Sequence, residues 1–286
     1  MPEQTNAAEA VRAAKARDAS RRGPRTAALA PPVLDNPLDA DAAERGVCVV
    51  SDRYPPFDGH WHAHQSAQFV YACEGMLTTH TQRGTWIVPP HRAVWLPPGM
   101  VHKVAADRPV RLRTLYVKPG AADTPSEPGV VTVDPLLDAL LAEAATFGTD
   151  YPLGGREERL IAVILDRLPN LGTVPSYLPT PADPRLVRLT TALQAQPADA
   201  RTLDELAAAC GMTARTAARL FAKETGLTFA QWRQQLRLLK GMQWLSQGRS
   251  VTEVALEVGY LDVSGFITVF KQAFGDTPAR YRRRGG

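Results

Sequence analysis

The sequence predicts an α+β protein in two parts, a small β-barrel followed by an all-α domain with two helix-turn-helix units. Three observations lead there. Short apolar runs separated by Gly and Pro turns fill residues 46–118, the texture of a barrel or sandwich. Two stretches in the last hundred residues repeat the same landmarks about 48 positions apart. All six histidines lie between His60 and His102, inside the β-textured part.

Length and composition bound the answer. A chain of 286 residues with 44% hydrophobic content fits two globular domains plus connections. It has no run of 18 apolar residues, and its first residues lack a secretory pattern, so a cytoplasmic protein without membrane contact is expected. Cys48, Cys73 and Cys210 are too few and too far apart for a disulfide framework or a Cys-rich zinc site. They read as buried small apolar residues, with a redox-sensing Cys73 as the alternative. Lys and Arg exceed Asp and Glu by 3 in residues 1–30, fall 5 short in 31–180 and exceed them by 6 in 181–286. A basic C-terminal domain beside an acidic middle suits a polyanion-binding module joined to a non-binding one.

Along the chain, 1–33 reads as a disordered or partly helical basic tail, rich in Ala and Arg. The barrel is assigned to 34–132, with strands over 47–50, 69–71, 77–80, 86–88, 93–96 and 111–117. The period then changes. Leu137, Leu140, Leu141 and Ala144, then Leu160, Ile161, Ile164, Leu165 and Leu168, mark two amphipathic helices, placed to cover the barrel or to pair two subunits. These helices and a semi-rigid linker, with five prolines between 169 and 184, make a connector over 133–180. The helical domain occupies 181–286.

The repeat aligns Leu206, Ala207, Gly211, Phe221 and Gly226 with Val254, Ala255, Gly259, Phe270 and Gly275. The offset is 48 at the first three landmarks and 49 at the last two, so the second copy has one extra residue in its turn. A helix-turn-helix needs a small residue where its helices cross, a Gly at the left-handed end of the first helix and an apolar anchor on the second. The units span about 202–223 and 250–273. Thr202 with Glu205 supplies a capping box, and Thr213 and Ser264 are placed to open the second helix of each unit. Between the units, 229–247 reads as one helix about 28 Å long, with Trp232, Leu236, Leu239, Met242 and Leu245 turned toward them.

Residues 185–283 resemble the AraC/XylS family of transcription regulators. The series Gly259, Tyr260, Ser264, Phe266, Phe270, Phe274, Gly275, Thr277, Pro278, Tyr281 and Arg282 carries the resemblance. It implies that the two second helices enter successive major grooves of promoter DNA, with the long helix as spacer. The candidate contacts are Thr213, Arg215, Thr216 and Arg219 in the first unit and Val263, Ser264, Thr268 and Lys271 in the second. Arg215 and Arg219 share one face and suit bidentate contact to guanine, whereas the second helix offers few strong donors. The first unit is therefore expected to dominate discrimination. The second contributes methyl contacts, shape and backbone binding, helped by Arg280, Arg282, Arg283 and Arg284. Ala217 stands where the family usually has a larger apolar residue, and Gly241 costs ~1 kcal/mol in a helix interior.

His62, His64, Gln68 and Gly75, followed by Pro97, Gly99 and His102, resemble the two cupin motifs, which gather one metal ion inside a β-barrel. His62 and His64 are two apart and would point the same way from a strand. The resemblance implies a divalent transition metal on His62, His64, Gln68 and His102. Gln68 stands where the family usually has Glu, Ala106 where it has Asn, and His91 where it has Gly. An organic effector on the same histidines is the alternative, lined by Trp86, Trp95, Val70 and Met100. His60, His80 and His91 read as surface or turn residues. The whole reads as an effector-responsive regulator, a homodimer with RNA polymerase as a further partner, and not an enzyme. A metal-dependent cupin enzyme tethered to DNA lacks its carboxylate, and a constitutive DNA binder with the barrel as dimer scaffold is the remaining alternative.

Overall fold

The computed structural model describes residues 43–174 and 176–285, with side chains as far as Arg283. The expected 1–33 tail and the side chain of Arg284 lie outside the described residues. Two compact units are present, one of 43–82 with 88–174 and one of 83–87 with 176–285. No helix among the described residues is long and apolar enough to cross a membrane.

The strands are β1 (Val47–Tyr54), β2 (Phe57–Asp58), β3 (Ala67–Glu74), β4 (Leu77–Thr81), β5 (Gly84–Val88), β6 (Arg92–Leu96), β7 (His102–Ala106), β8 (Val110–Val117), β9 (Gly129–Thr132), β10 (Thr173–Val174) and β11 (Tyr177–Pro179). In the first unit, one antiparallel sheet runs β1-β8-β3-β6-β9-β10 and β4-β7-β2 run side by side in a second. Alternation sorts the larger sheet. Phe69, Tyr71, Trp95 and Leu115 face one side, where they join Leu137 and Leu141 of α1 (Pro135–Ala144) and Ile161 and Ile164 of α2 (Arg156–Arg167) in one buried core. Each fully buried Leu or Ile contributes about 1.5–3 kcal/mol. The two helices thus cover the sheet of their own unit.

Local chemistry sets the boundaries. Asp134 caps α1 by accepting from the Leu137 amide at 2.8 Å and also pairs with Arg167. Gly75 turns the chain from β3 to β4 at φ +79°, and a Cβ there would lie 2.8 Å from the Pro109 carbonyl oxygen, so only glycine fits. His91 is the one non-glycine residue at positive φ among the described residues, at +59°. The resemblance puts Gly at that position, and the backbone has kept the left-handed turn without it.

The stretch expected as a linker is partly strand. Thr173 and Val174 pair with Val131 and Val130, and Tyr177–Pro179 pairs with Trp86, Thr85 and Gly84 of β5. The prolines leave the intervening amides free to pair, and past Pro179 the Thr180 amide still donates to the Arg83 carbonyl at 2.9 Å.

The second unit holds α3 (Pro184–Ala195), α4 (Leu203–Ala209), α5 (Ala214–Thr225), α6 (Phe229–Ser246), α7 (Val251–Glu257), α8 (Val263–Phe274) and α9 (Pro278–Gly285). Complete capping boxes at Thr202/Glu205 and Thr228/Gln231 open α4 and α6. Left-handed glycines, Gly226 at φ 72° and Gly275 at φ 75°, close α5 and α8. Helix α6 is 18 residues, about 27 Å, with Trp232, Leu236, Leu239, Met242 and Leu245 buried. Gly241 has a packing role there: an added Cβ would lie 3.0 Å from the Phe266 ring. Ala217 is fully buried on α5.

Candidate nucleic-acid interface and barrel site

Helices α5 and α8 are the second helices of the two units. Thr213 caps α5 through the Thr216 amide at 3.2 Å and donates to the Thr216 hydroxyl at 3.0 Å. Arg215 and Arg219 stand exposed, one turn apart, on the face opposite buried Leu220 and Phe221. Helix α8 departs from expectation at its start. Asp262, not Ser264, is the cap, accepting from the Gly265 amide at 2.7 Å, because its carboxylate reaches the first free amides of the helix. Ser264, Thr268 and Lys271 are exposed and Val263 is half-buried. Thr268 donates its hydroxyl to the Ser264 carbonyl at 3.0 Å.

Other basic residues of this unit are structural. Arg233 holds the carbonyls of Arg201 and Asp199, and Arg237 holds Pro197 O at 3.0 Å, bracing the loop that leads into α4. Burial lowers both guanidinium pKa values from the usual arginine value. Arg249 pairs with Glu253 and Glu257. Arg215, Arg219 and Lys271 have no carboxylate partner among the described residues, so their charge is available to a polyanion.

Helix α6 also grips the strand that precedes the helical domain. Trp232 donates its indole N–H to Pro179 O at 2.8 Å, and Gln235 donates to Tyr177 O at 2.8 Å. Tyr177 stacks on Trp86, with ring centroids 4.2 Å apart.

In the barrel, His62, His64 and His102 bring ligand atoms within 4.8 Å of one another. The segment holding His62 and His64 is not the expected strand. His62 forms a single antiparallel bridge with His102, through two backbone bonds of 2.9 Å, and His64 O accepts from the Gly99 amide at 2.8 Å. Gly99 sits at φ +72°, so the turn of the second motif delivers that amide. His62 Nδ1 donates to His60 O and His102 Nδ1 to Met100 O, both at 2.8 Å, a tautomer assigned from the carbonyl partners. Burial lowers the His102 pKa to about 3, reinforced by His62 and His64 and opposed by the Met100 bond. Its neutral ring keeps a lone pair on Nε2, an atom that is buried without a hydrogen-bond partner, as is Gln68 Oε1. Two orphaned acceptors beside further imidazoles suit a cation or a donor-bearing ligand.

The register places the other expected residues. Gln68 lies opposite Tyr116 and Leu96, on the sheet face away from the helices, and Val70 shares that face. Tyr116, which sequence reasoning missed, meets the His64 ring edge-on at 5.8 Å. Met100 is half-buried in the Pro97 turn, and its carbonyl orients His102. Trp95 is a correction: it lies opposite Phe69, points into the helix-covered core and donates to Pro125 O at 2.7 Å. Trp86 is buried, and its ring stacks on Tyr177. His60 and His91 are exposed and His80 is half-buried. Burial raises the Cys73 pKa, the opposite of what a reactive thiolate needs, and its Sγ donates to Arg111 O. A further missed feature is the buried Lys103, next to His102, paired with Asp58 at 2.8 Å.

Two halves so built, a ligand-cradling barrel and a paired helix-turn-helix, define a one-component transcription regulator. Comparison with known proteins agrees. A helix-turn-helix domain family matches residues 206–284 and the AraC-like ligand binding domain family matches 45–144. The HTH-type transcriptional regulator NimR of Escherichia coli is 34% identical over 223 residues, 78% of this chain and 82% of that one. The transcriptional activator NphR of a Rhodococcus species is 40% identical over 83 residues, 29% of this chain and 24% of its own. The structure of ToxT from Vibrio cholerae covers 84% of this chain and 99% of its own at 9% identity, with a TM-score of 0.37. The chain belongs to the AraC/XylS-type transcription regulators, with a DNA-binding helical unit and a ligand-binding barrel.

Proposed function

We propose that this regulator works in the cytoplasm, without enzymatic activity, as a homodimer on promoter DNA that engages RNA polymerase, and that its barrel responds through one divalent transition metal ion. His62, His64 and His102 would hold the ion, with Gln68 as a neutral fourth donor. The observation that carries this reading is the cluster of His62, His64 and His102, whose ligand atoms lie within 4.8 Å of one another, with His102 Nε2 buried and without a partner. A bound ion would supply a fixed positive charge that recruits lone-pair donors of a small-molecule effector. Gln68 disfavours the enzyme reading, because an amide cannot act as the general base that a carboxylate would provide.

On the DNA side, Arg215 and Arg219 supply the base contacts that discriminate most, with Thr213, Thr216, Val263, Ser264, Thr268 and Lys271 contributing methyl and backbone contacts. The effector acts by binding one arrangement of the chain better than another, and the shift cannot exceed that difference in affinity. The test is elemental analysis of protein purified without a histidine tag, followed by calorimetric titration of the stripped protein with Zn²⁺, Ni²⁺ and Co²⁺. The expected result is about one ion per chain in the wild type and none in His102→Ala, which should retain a cooperative melt. A wild type that takes up no ion would leave the organic effector as the direct ligand of these histidines.

A further inference from the structure

The two helix-turn-helix units differ in length by one residue, and the structure shows where that residue goes. Met212 and Tyr260 hold equivalent places, their amides donating to Ala207 O at 2.9 Å and Ala255 O at 3.0 Å. Thr213 and Asp262 are equivalent too, each capping the helix that follows. The chain steps directly from Met212 to Thr213, but between Tyr260 and Asp262 it passes through Leu261. This inserted leucine is fully solvent-exposed, at 101%.

The turn that carries it is anchored. The Tyr260 ring rests on Phe266 with centroids 5.3 Å apart, and Asp262 is tied to the Gly265 amide. Gly259, at φ +90°, is packed so closely that a Cβ would lie 2.9 Å from both Ala198 Cα and the Arg237 guanidinium. Leu261 is thus held outward by fixed neighbours, and a contact made there costs little ordering.

Its position is the N-terminal approach to α8, the end of a recognition helix that meets base edges. By the same alignment, Ser264 and Thr268 stand where the first unit has Arg215 and Arg219. With the Thr268 hydroxyl bonded to the Ser264 carbonyl, the two positions of α8 that match Arg215 and Arg219 carry no charged donor. Thymine is the base whose major-groove edge carries a methyl group. We infer that Leu261 is a specificity-determining residue of the second unit, packing against a thymine methyl in the half-site read by α8. The inference rests on the DNA-binding role of the helical unit and adds a contact that the first unit has no residue to make.

The test selects preferred duplexes from a random pool with the full-length protein, then replaces each thymine of the chosen site singly with deoxyuracil, which lacks only the methyl group. Binding is measured for the wild type, Leu261→Ala and Leu261→Val. One position in the second half-site should cost the wild type about three- to tenfold and Leu261→Ala nothing, with Leu261→Val between them. On the unsubstituted duplex Leu261→Ala should bind about three- to tenfold more weakly than the wild type, with an unchanged melting temperature. Equal uracil penalties in all three proteins, or a second half-site without thymine, would overturn the inference. So would a Leu261→Ala protein that binds normally but fails to regulate, since the leucine would then face a protein. A wild type that selects no site would instead remove the DNA-binding role beneath it.

Discussion

At the scale of single residues, one feature that looks like a defect in the sequence is a requirement of the fold. Gly241 lies mid-helix, where alanine would be preferred by about 1 kcal/mol. With the Phe266 ring 3.0 Å from where a Cβ would stand, Gly241→Ala should instead destabilise the helical unit, by about 1–3 kcal/mol. A denaturant melt checks the sign, and a more stable variant would refute the packing argument. Gln68 is different: read against the cupin pattern it is a missing carboxylate, and it is buried opposite Tyr116 with its carbonyl oxygen unsatisfied, a cost to the fold that a bound cation would relieve. Gln68→Glu should raise metal affinity by adding a charge that opposes the ion, measurable by the same titrations. The histidine pattern announced which side chains converge. That His62 and His102 are locked by carbonyls and joined by one backbone bridge was not legible, because backbone acceptors leave no mark in the side-chain sequence.

Among the elements, caps and packing faces were the legible part, since they depend on residues three or four apart. The Thr202/Glu205 box, the Thr213 cap and the buried face of α6 follow from such spacing. Strands β2, β7, β9, β10 and β11 were not read: β2 is only two residues long, His102–Ala106 mixes polar and apolar residues, and β10 and β11 sit among prolines. Their existence is decided by distant partners, Thr79 and Val131 among them. Helix α1 offers a test of capping. Asp134→Ala should cost about 1 kcal/mol. The Leu137 amide above all, with help from Arg167, holds the Asp134 carboxyl below its usual pKa against the opposing effect of desolvation. A lowered folded pKa means stability present above about pH 4 and lost as the pH falls through the folded value. The gap between wild type and Asp134→Ala should therefore be full at pH 7 and shrink in acid; a gap independent of pH would show that the charge is idle. At the start of the helical unit, Trp232→Phe removes the bond to Pro179 O while keeping most of the buried ring, and should cost about 0.5–1.5 kcal/mol.

For the whole molecule, the division of charge along the chain and the duplicated landmarks were enough to assign a basic reading half and a sensing half. What they could not give is the asymmetry between the two reading helices, because the inserted residue is visible in the alignment but its exposure is not. Helix α5 exposes Arg215 and Arg219 where α8 exposes Ser264 and Thr268, so the charged donors at these positions belong to the first unit. Arg219→Ala should accordingly remove about 1–3 kcal/mol of base discrimination, whereas Thr268→Ala should remove less. Binding across single-base variants of the selected site checks this, and equal losses would place the two units on the same footing. The central claim is that α6 holds two helix-turn-helix units for simultaneous entry into one duplex. A hydroxyl-radical footprint of the full-length protein on its selected site tests it most directly. Two protected blocks on one face, about one helical turn or 10 base pairs apart, are expected for each chain bound; a single block that disappears with Arg215 and Arg219 removed and never extends to the α8 side would contradict the account.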